Sequence, residues 1–237
     1  MRRVVLAGPL QPGLAIQLSA DQRHYLINVL RMRAGEQFIG LDQDGNAFVV
    51  QLEPSEGRGI VIEQAAEAGR EPELAVRLFL PLLKGDKLDF VVQKSVELGV
   101  ANITLYSARR AVVKEGNLDK KIARLQRIAQ EATQQCRRQL VPAVSGLLPL
   151  EQAADSGPGL FAWEQEEKQS LKGWLQANPG QSLSLLTGPE GGLAPEEAVI
   201  LAEAGWTAVT LGPRILRAET AAIAMFTCVM FSRDEMG

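Results

Sequence analysis

Two glycine-bearing loops near the carboxyl terminus hold the residues best suited to bind a ligand. The first loop follows a strand-length apolar run and comprises Gly188, Pro189, Glu190, Gly191 and Gly192. The second loop runs from residue 212 to residue 220 and carries Arg217 and Glu219. Glycine lets a backbone approach a ligand closely, and unpaired backbone groups beside it can bind polar ligand atoms. The pattern therefore predicts a ligand site built from both loops.

The first loop differs from the best-known phosphate-binding motifs. No Lys-Ser or Lys-Thr pair follows its glycines, as a P-loop requires, and the glycine spacing is not that of the dinucleotide fingerprint. A plain tight turn is the alternative interpretation of this loop taken alone, because glycine commonly marks turns.

Strands and helices of an α/β domain are expected around both loops. Residues 183–186 and 207–211 are typical of short strands, and helices are predicted from Pro195 to about Gly205 and after the second loop. In open α/β sheets, ligands bind beyond the carboxyl ends of the strands. Two strands that end at one edge would bring both loops to a single ligand.

The chain is predicted to contain two domains, 1–72 and 73–237. Five short apolar runs separated by turn residues precede residue 68, which favours a small β-barrel. A polar, alanine-rich linker follows at residues 63–72. Beyond it strands alternate with helices, which predicts an α/β fold with a mostly parallel sheet.

The composition is that of an ordinary globular protein. Of the 237 residues, 46% are hydrophobic and 22% are charged. No apolar stretch reaches the length of a membrane span, so we expect a cytoplasmic protein that does not enter a membrane. Cys136 and Cys228 are too few for a disulfide framework or a zinc cluster, and no metal is expected.

Basic residues concentrate in two segments, although the formal net charge is -3. Residues 1–35 carry five Arg against one Asp, and residues 106–138 carry nine Lys or Arg against three acidic residues. Two basic patches on an acidic body can bind RNA phosphates. The alternative is that both are solvated helix faces that contact nothing.

One helical segment interrupts the β-rich part, and Ser19 is predicted to cap it. It contains His24, the only histidine, which we predict to be structural rather than a general base. Tyr25 is expected to belong to the core rather than to stack on a nucleotide base.

The two loops together resemble the signature of the SPOUT RNA methyltransferases. In particular they are similar to the RsmE family, which methylates N3 of a uridine in small-subunit ribosomal RNA. The matching runs are Thr-Gly-Pro-Glu-Gly-Gly-Leu at residues 187–193 and Leu-Gly-Pro-Arg-Ile-Leu-Arg-Ala-Glu-Thr-Ala at residues 211–221. Shorter matches at residues 30–35, 84–87, 93–100 and 131–136 follow the order of the family, so the resemblance covers nearly the whole chain. Two departures from the family pattern are Ala108 and Ala194, where polar residues are usual.

The resemblance implies a SPOUT-type knotted sheet, a PUA-like amino-terminal domain, a homodimer formed through the knot and S-adenosylmethionine as the cofactor. The two loops would enclose that cofactor. The binding residues carried over from the family are Leu186, Thr187, Gly188, Pro189, Glu190, Gly191, Gly192, Leu211, Gly212, Ile215, Leu216, Arg217 and Thr220.

The implied reaction assigns roles to three charged residues. Methyl transfer needs N3 in line with the methyl group and a stabilised uracil anion. Arg217 is the candidate for stabilising the uracil oxygens, and Glu190 or Glu219 for removing the proton or contacting the ribose. The alternatives are a structural salt bridge for Arg217 and a helix N-terminal carboxylate for Glu219.

The implied substrate is small-subunit ribosomal RNA, either free or within the assembled subunit. Its target base must leave the stack to reach the cofactor. The predicted RNA-binding residues are Arg2, Arg3, Arg23, Arg31, Arg33, Arg109, Arg110 and Lys114. Two other hypotheses stay open: a different SPOUT methyltransferase that acts on ribose or transfer RNA, and an RNA-binding module without catalysis.

Overall fold

The structure is a computed structural model that describes residues 2–54, 57–66, 71–111, 117–179 and 182–236. The chain forms two compact units. The first contains residues 1–71 together with 133–141, and the second contains residues 72–132 together with 142–237. No helix in the described ranges is long and apolar enough to cross a membrane.

A mixed five-stranded sheet forms the first unit. Its strands are β1 (Arg3–Val5), β2 (Ala15–Gln17), β3 (Gln37–Leu41), β4 (Ala47–Leu52) and β5 (Arg58–Gln64). Their order is β1-β3-β4-β5-β2, with β1 parallel to β3 and the other neighbours antiparallel. The alternating strand residues bury Phe38, Val50 and Val61, which pack with Leu26 in one apolar core.

The predicted helical segment of the first unit begins as an α-helix and continues as a π-helix. Ser19 caps α1 (Ala20–Arg23): its Oγ accepts the N–H of Gln22 at 3.2 Å, and the Gln22 side chain accepts the N–H of Ser19 at 2.8 Å. The capping prediction is confirmed. We call the following stretch, His24–Val29, the π-helical segment.

The prediction that Tyr25 belongs to the core is wrong, because its side chain is 37% exposed. His24 is exposed as well, and its assignment as structural rather than a general base stays a prediction. The prediction for Tyr25 assumed a turn of 3.6 residues, whereas the N–H of Leu30 bonds to the carbonyl of Tyr25 five residues earlier at 2.9 Å. The wider turn leaves Leu26 as the fully buried residue.

Residues 133–141 are tied to the first unit by buried polar contacts. Arg3 is buried, and its Nη1 donates to the carbonyl of Arg137 at 3.0 Å. The buried Arg138 guanidinium pairs with Glu71, with 2.6 Å between Nη2 and Oε2. Burial opposes the ionisation of Glu71, but the hydrogen bond and charge of Arg138 and the N–H groups of Gln139 and Leu140 outweigh it, so its pKa is lowered.

The second unit is built on a six-stranded parallel sheet. Its strands are β6 (Val76–Pro81), β7 (Asn102–Ser107), β8 (Ala143–Pro149), β9 (Gly159–Ala162), β10 (Leu183–Thr187) and β11 (Thr207–Val209), in the order β11-β9-β10-β6-β7-β8. Every neighbouring pair is parallel. The helices are α2 (Lys87–Glu97), α3 (Leu118–Cys136), α4 (Leu150–Ala154), α5 (Leu171–Ala177), α6 (Pro195–Glu203) and α7 (Ala218–Ser232). The predicted α/β class with a parallel sheet is confirmed.

Apolar packing holds the strands that carry the two loops. Residues of β10 are all buried, and α7 contacts this strand while burying Ala222, Met225 and Phe226. Trp206, just before β11, packs edge-on against Phe79 with 5.6 Å between the ring centres. Because β9, β10 and β11 are parallel neighbours, their carboxyl ends meet at one edge of the sheet.

Candidate functional site

A cavity of 830 Å³ opens beyond the carboxyl ends of β9, β10 and β11. From the first loop it is lined by Gly188, Pro189, Glu190, Gly191 and Gly192. From the second loop it is lined by Leu211, Gly212, Ile215, Leu216 and Arg217, along with neighbours of these residues. The two glycine-bearing loops thus share one cavity.

Three residues predicted to bind the cofactor do not line this cavity. Leu186 and Thr187 are buried in β10 beneath the first loop, where the carbonyl of Thr187 accepts the Tyr106 hydroxyl at 2.9 Å. Burial raises the pKa of Tyr106 well above its usual range, with a smaller effect from Glu197, so the phenol stays neutral. Thr220 lies in α7 and lines a separate depression.

Close contacts in the first loop require glycine. A Cβ at Gly188 would lie 3.0 Å from the backbone nitrogen of Leu193. Gly192 has a φ of 69°, and a Cβ there would lie 2.2 Å from Oε1 of Glu164. A side chain at position 188 would therefore push against the backbone of residues 192–193, and one at position 192 would be strained by the positive φ and would displace the Glu164 carboxylate.

A buried carboxylate fixes the end of the first loop. Oε2 of Glu197 accepts the N–H of Ala194 at 2.7 Å, and Oε1 accepts the N–H of Arg109 at 2.8 Å. The side chain of Ala194 has no oxygen that could cap α6. The other hydrogen bond of a capping box is present, because the Glu197 carboxylate accepts the N–H of Ala194, the N-cap residue. Although alanine replaces the polar residue that is usual at position 194, Glu197 of α6 therefore still holds the start of the helix.

Lys87 joins the two predicted catalytic carboxylates. Its Nζ lies 3.5 Å from Oε1 of Glu190 and 3.3 Å from Oε2 of Glu219. Oε1 of Glu190 also accepts the N–H of Lys84 at 2.9 Å. Burial opposes ionisation of Glu190, but backbone N–H groups and the charge of Lys87 outweigh it and lower the pKa of this carboxyl. A carboxylate held in this way is a weak base.

Arg217 lies at the start of α7, where it takes the N-cap position with extended backbone angles. Its side chain is exposed and lines the cavity. Within the described ranges it forms neither an ion pair nor a side-chain hydrogen bond, so the salt-bridge alternative finds no partner there. The guanidinium is therefore available to a ligand.

The sequence analysis missed a third wall of the cavity. A further set of lining residues follows β9: Trp163, Glu164, Glu166 and Glu167. Nε1 of Trp163 is buried and has no hydrogen-bond partner in the described part of the chain. The position of these residues after a strand of the parallel sheet was the available signal, because every such strand ends at the same edge.

The predicted RNA-binding residues occupy different environments. Arg2, Arg23, Arg31 and Arg33 are exposed on the first unit. The prediction for Arg3 is wrong, because its guanidinium is buried and bonded to backbone carbonyls.

In the second unit, Arg109 and Arg110 are both exposed. Arg109 forms an ion pair with Glu196 at 3.3 Å, and Nη1 of Arg110 donates to the carbonyl of Gly191 at 3.3 Å. Lys114 lies outside the described residues.

Known proteins match this chain along most of its length. A family model for an RNA methyltransferase domain matches residues 70–230, and one for an RNA methyltransferase PUA domain matches residues 18–64. Ribosomal RNA small subunit methyltransferase E of Bacillus subtilis is 33% identical over 92% of this chain and 90% of its own length.

Solved structures show the same similarity. The protein of that name from Neisseria gonorrhoeae, bound to S-adenosyl methionine, has a TM-score of 0.87 at 31% identity, with 97% of each chain covered. A putative methyltransferase from Legionella pneumophila, in complex with the cofactor SAM, has a TM-score of 0.89 at 29% identity, covering 98% of this chain and 97% of its own. The chain therefore belongs to the ribosomal RNA small subunit methyltransferase E family, the RsmE family whose loop signature its two glycine-bearing loops resemble.

Proposed function

We propose that this protein uses S-adenosylmethionine to methylate N3 of a uridine in small-subunit ribosomal RNA. The observation that carries the proposal is the cavity that both glycine-bearing loops line, with the exposed Arg217, which has no side-chain partner among the described residues, at its wall. Membership of the RNA methyltransferase family supports the reaction class, and the names of its relatives support the substrate.

The residues around the cavity fit a nucleoside cofactor with a cationic centre. A volume of 830 Å³ falls in the range of about 300 to 1,000 Å³ that is usual for small-molecule sites. Glycines of both loops offer close approach to backbone groups, and Nε1 of Trp163 is a buried donor without a hydrogen-bond partner among the residues that the structure describes. The carboxylate of Glu164, which lines the cavity, supplies negative charge for a sulfonium and an amino group. When bound, the cofactor supplies an electrophilic methyl group.

Arg217 is the group we assign to the uracil. Once N3 loses its proton, negative charge spreads to the uracil oxygens, and an unpaired guanidinium beside the cavity can stabilise it. The base must be extruded to reach the cavity, since a stacked base buries the edge that reacts.

Glu190 and Glu219 fit positioning better than proton removal. Both carboxylates share Lys87, and the lowered pKa of Glu190 weakens it as a base. We assign them to holding the first loop, α2 and the start of α7 in place, with ribose contact as a further role. Backbone groups of residues 188–192 and 211–216 would hold the cofactor.

The proposal includes a homodimer, formed through a knotted second domain, that acts in the cytoplasm. Exposed apolar side chains on the second unit, among them Phe90, Val199 and Phe231, support an interface there. Residues 1–72 are assigned as the PUA-like RNA-binding domain and residues 73–237 as the SPOUT methyltransferase domain. The match of the PUA model to residues 18–64 supports the first assignment.

Nucleoside mass spectrometry tests the proposal directly. The protein is incubated with S-adenosylmethionine and either unmodified small-subunit RNA or assembled subunits that lack the modification. N3-methyluridine is the expected product, and comparison of the two substrates shows which one the enzyme uses. A methyl group on ribose or on transfer RNA would instead support another SPOUT activity. No product and no heat of binding at millimolar cofactor would support a non-catalytic RNA-binding module.

A further inference from the structure

The π-helical segment departs from regular geometry where the sequence contains no helix breaker. Residues 24–29 include neither Gly nor Pro, yet the N–H of Leu30 bonds to the carbonyl of Tyr25 rather than to that of Leu26. Such π-helical turns are rare, and they occur frequently at functional sites. Arg31, two residues beyond, has a φ of 54°, in the left-handed region that residues other than glycine seldom adopt. Two departures from regular backbone geometry lie close together here, which indicates that this segment has a functional role.

One side of the π-helical segment is buried in the core, and the other side is exposed to solvent. Leu26 is fully buried, and Ile27 and Leu30 pack against the same core. Tyr25 and Val29 are 37% and 57% exposed, although both are large hydrophobic residues. Both lie in the same π-helical turn, four positions apart. The Tyr25 ring and the Val29 side chain are therefore exposed on a segment whose other apolar residues are held in the core.

Three arginines lie close to this exposed pair in the sequence. Arg23 precedes the π-helical segment, and Arg31 and Arg33 follow it, all with exposed side chains. None of the three arginines forms an ion pair with another residue in the described ranges. An exposed tyrosine ring with exposed arginines close to it in the sequence has the composition of a site for single-stranded nucleic acid, in which bases stack on the ring and phosphates contact the cations.

We propose that an unpaired RNA base stacks on Tyr25 beside Val29, while Arg23, Arg31 and Arg33 contact the neighbouring phosphates. The inference rests on the proposed function for the identity of the partner as RNA, and it adds a contact residue that the sequence analysis placed in the core. Stacking tolerates any base, so this surface holds and orients the strand rather than reading its sequence.

Substitution of Tyr25 measures the contribution of the aromatic ring to RNA binding separately from that of the arginines. Binding of a fluorescein-labelled single-stranded uridine-rich oligoribonucleotide is measured by fluorescence anisotropy for the full chain. Loss of one base stack is expected to raise the Kd of Tyr25→Ala about tenfold. Tyr25→Phe keeps the ring and should bind within about twofold of wild type, whereas Tyr25→Leu keeps apolar bulk without the ring face and should match Tyr25→Ala. Ile62→Ala is the matched control, because Ile62 is another exposed apolar residue of the first unit at 40% exposure.

Enzyme kinetics provide the second readout. Tyr25→Ala should raise KM for ribosomal RNA and leave the Kd for S-adenosylmethionine unchanged, because the cofactor cavity is lined by residues of the second unit. Unchanged oligoribonucleotide binding in Tyr25→Ala and Tyr25→Leu would overturn the inference, and so would an equal loss in Ile62→Ala. If Tyr25→Ala fails to fold by circular dichroism, Tyr25→Leu carries the comparison.

Failure of the proposed function would look different. Wild-type protein that forms no N3-methyluridine but loses oligoribonucleotide binding on Tyr25→Leu substitution would refute the reaction and keep the stacking site. Protein that methylates N3 equally well with and without the Tyr25 ring would refute the stacking site and keep the reaction.

Discussion

Replacement of Lys87 by Met should destabilise the second unit and loosen the cofactor cavity. Lys87 is the cation within 3.5 Å of Glu190 and 3.3 Å of Glu219, so Lys87→Met leaves two neighbouring carboxylates without their shared counter-ion. Oε2 of Glu190 is already buried without a hydrogen-bond partner in the described ranges, and Oε2 of Glu219, 3.3 Å from Nζ, would lose its ion pair. Methionine has similar length, so the main change is the charge.

The size of the effect follows from the exposure of the pair. At an effective dielectric constant of about 20, each ion pair has a Coulomb attraction of roughly 5 kcal/mol, most of which desolvation offsets. Fully exposed pairs contribute less than about 1 kcal/mol, and loss of one partner of a buried pair costs about 3 to 5 kcal/mol. The Lys87 side chain is 32% exposed and those of its partners 19% and 15%, which places the expected loss at about 1 to 3 kcal/mol.

Thermal unfolding measured by differential scanning fluorimetry tests the prediction. About 1 kcal/mol corresponds to roughly 2 to 4 °C in Tm for a chain of this size. Lys87→Met should therefore lower, by about 2 to 12 °C, the Tm of the transition that S-adenosylmethionine stabilises. The Kd for the cofactor should rise in parallel. Lys94→Met is the matched control on α2, because Lys94 pairs with the single carboxylate of Glu97 at 2.9 Å and should lose less than about 1 kcal/mol.

The pH dependence gives the sharper test. The pKa of Glu190 is lowered from its ordinary 4.5, so its stabilising contribution is present above that value and is lost as pH falls through the folded-state pKa. In Lys87→Met, protonation also relieves repulsion between the two carboxylates. The Tm difference between wild type and variant should therefore shrink as pH falls below about 4.5. A difference that is constant with pH, or equal to that of Lys94→Met, would refute this account of the cluster.

Three further substitutions probe the cavity. Arg217→Ala should abolish methyl transfer, a loss of at least about a hundredfold in kcat, while the fold and the Tm are retained; full activity by nucleoside mass spectrometry would remove this residue from the mechanism. Gly192→Ala should weaken cofactor binding in calorimetry by about tenfold or more, since the new Cβ meets Glu164 and the φ of 69° is strained; an unchanged Kd would contradict the close contact. Tyr106→Phe should cost about 1 to 2 kcal/mol in the free energy of unfolding by urea, because the Thr187 carbonyl loses its donor; a loss below about 0.3 kcal/mol would show that the bond contributes little.

Local patterns in the sequence predicted the second unit well because each element buries a regular apolar face. The run before Gly188 became β10, and Pro195 begins α6 as expected. The two loops meet because parallel strands end at one edge, which the alternation of strands and helices already indicated. The predicted second strand was too long, since β11 ends at Val209.

Long-range contacts and irregular turns escaped prediction for physical reasons. Lys87 and Glu190 are in contact although 103 positions separate them in the sequence, so no local pattern could predict this pair. The burial of Arg3 depends on carbonyl groups at residues 137 and 138, which return to the first unit late in the chain. The exposure of Tyr25 follows from a π-helical turn, and periodicity at 3.6 residues assigned it to the wrong face.

The return of residues 133–141 to the first unit has a consequence for dissecting the protein. A fragment that stops at residue 72 would keep Glu71 but lack the Arg138 guanidinium beside it, and Arg3 would have no acceptor at residue 137. Such a fragment would expose the polar groups that these partners satisfy, and we expect it to express as an unstable species. Isolation of the amino-terminal unit for binding studies therefore requires a spliced chain in which a short linker joins residue 71 to residue 133.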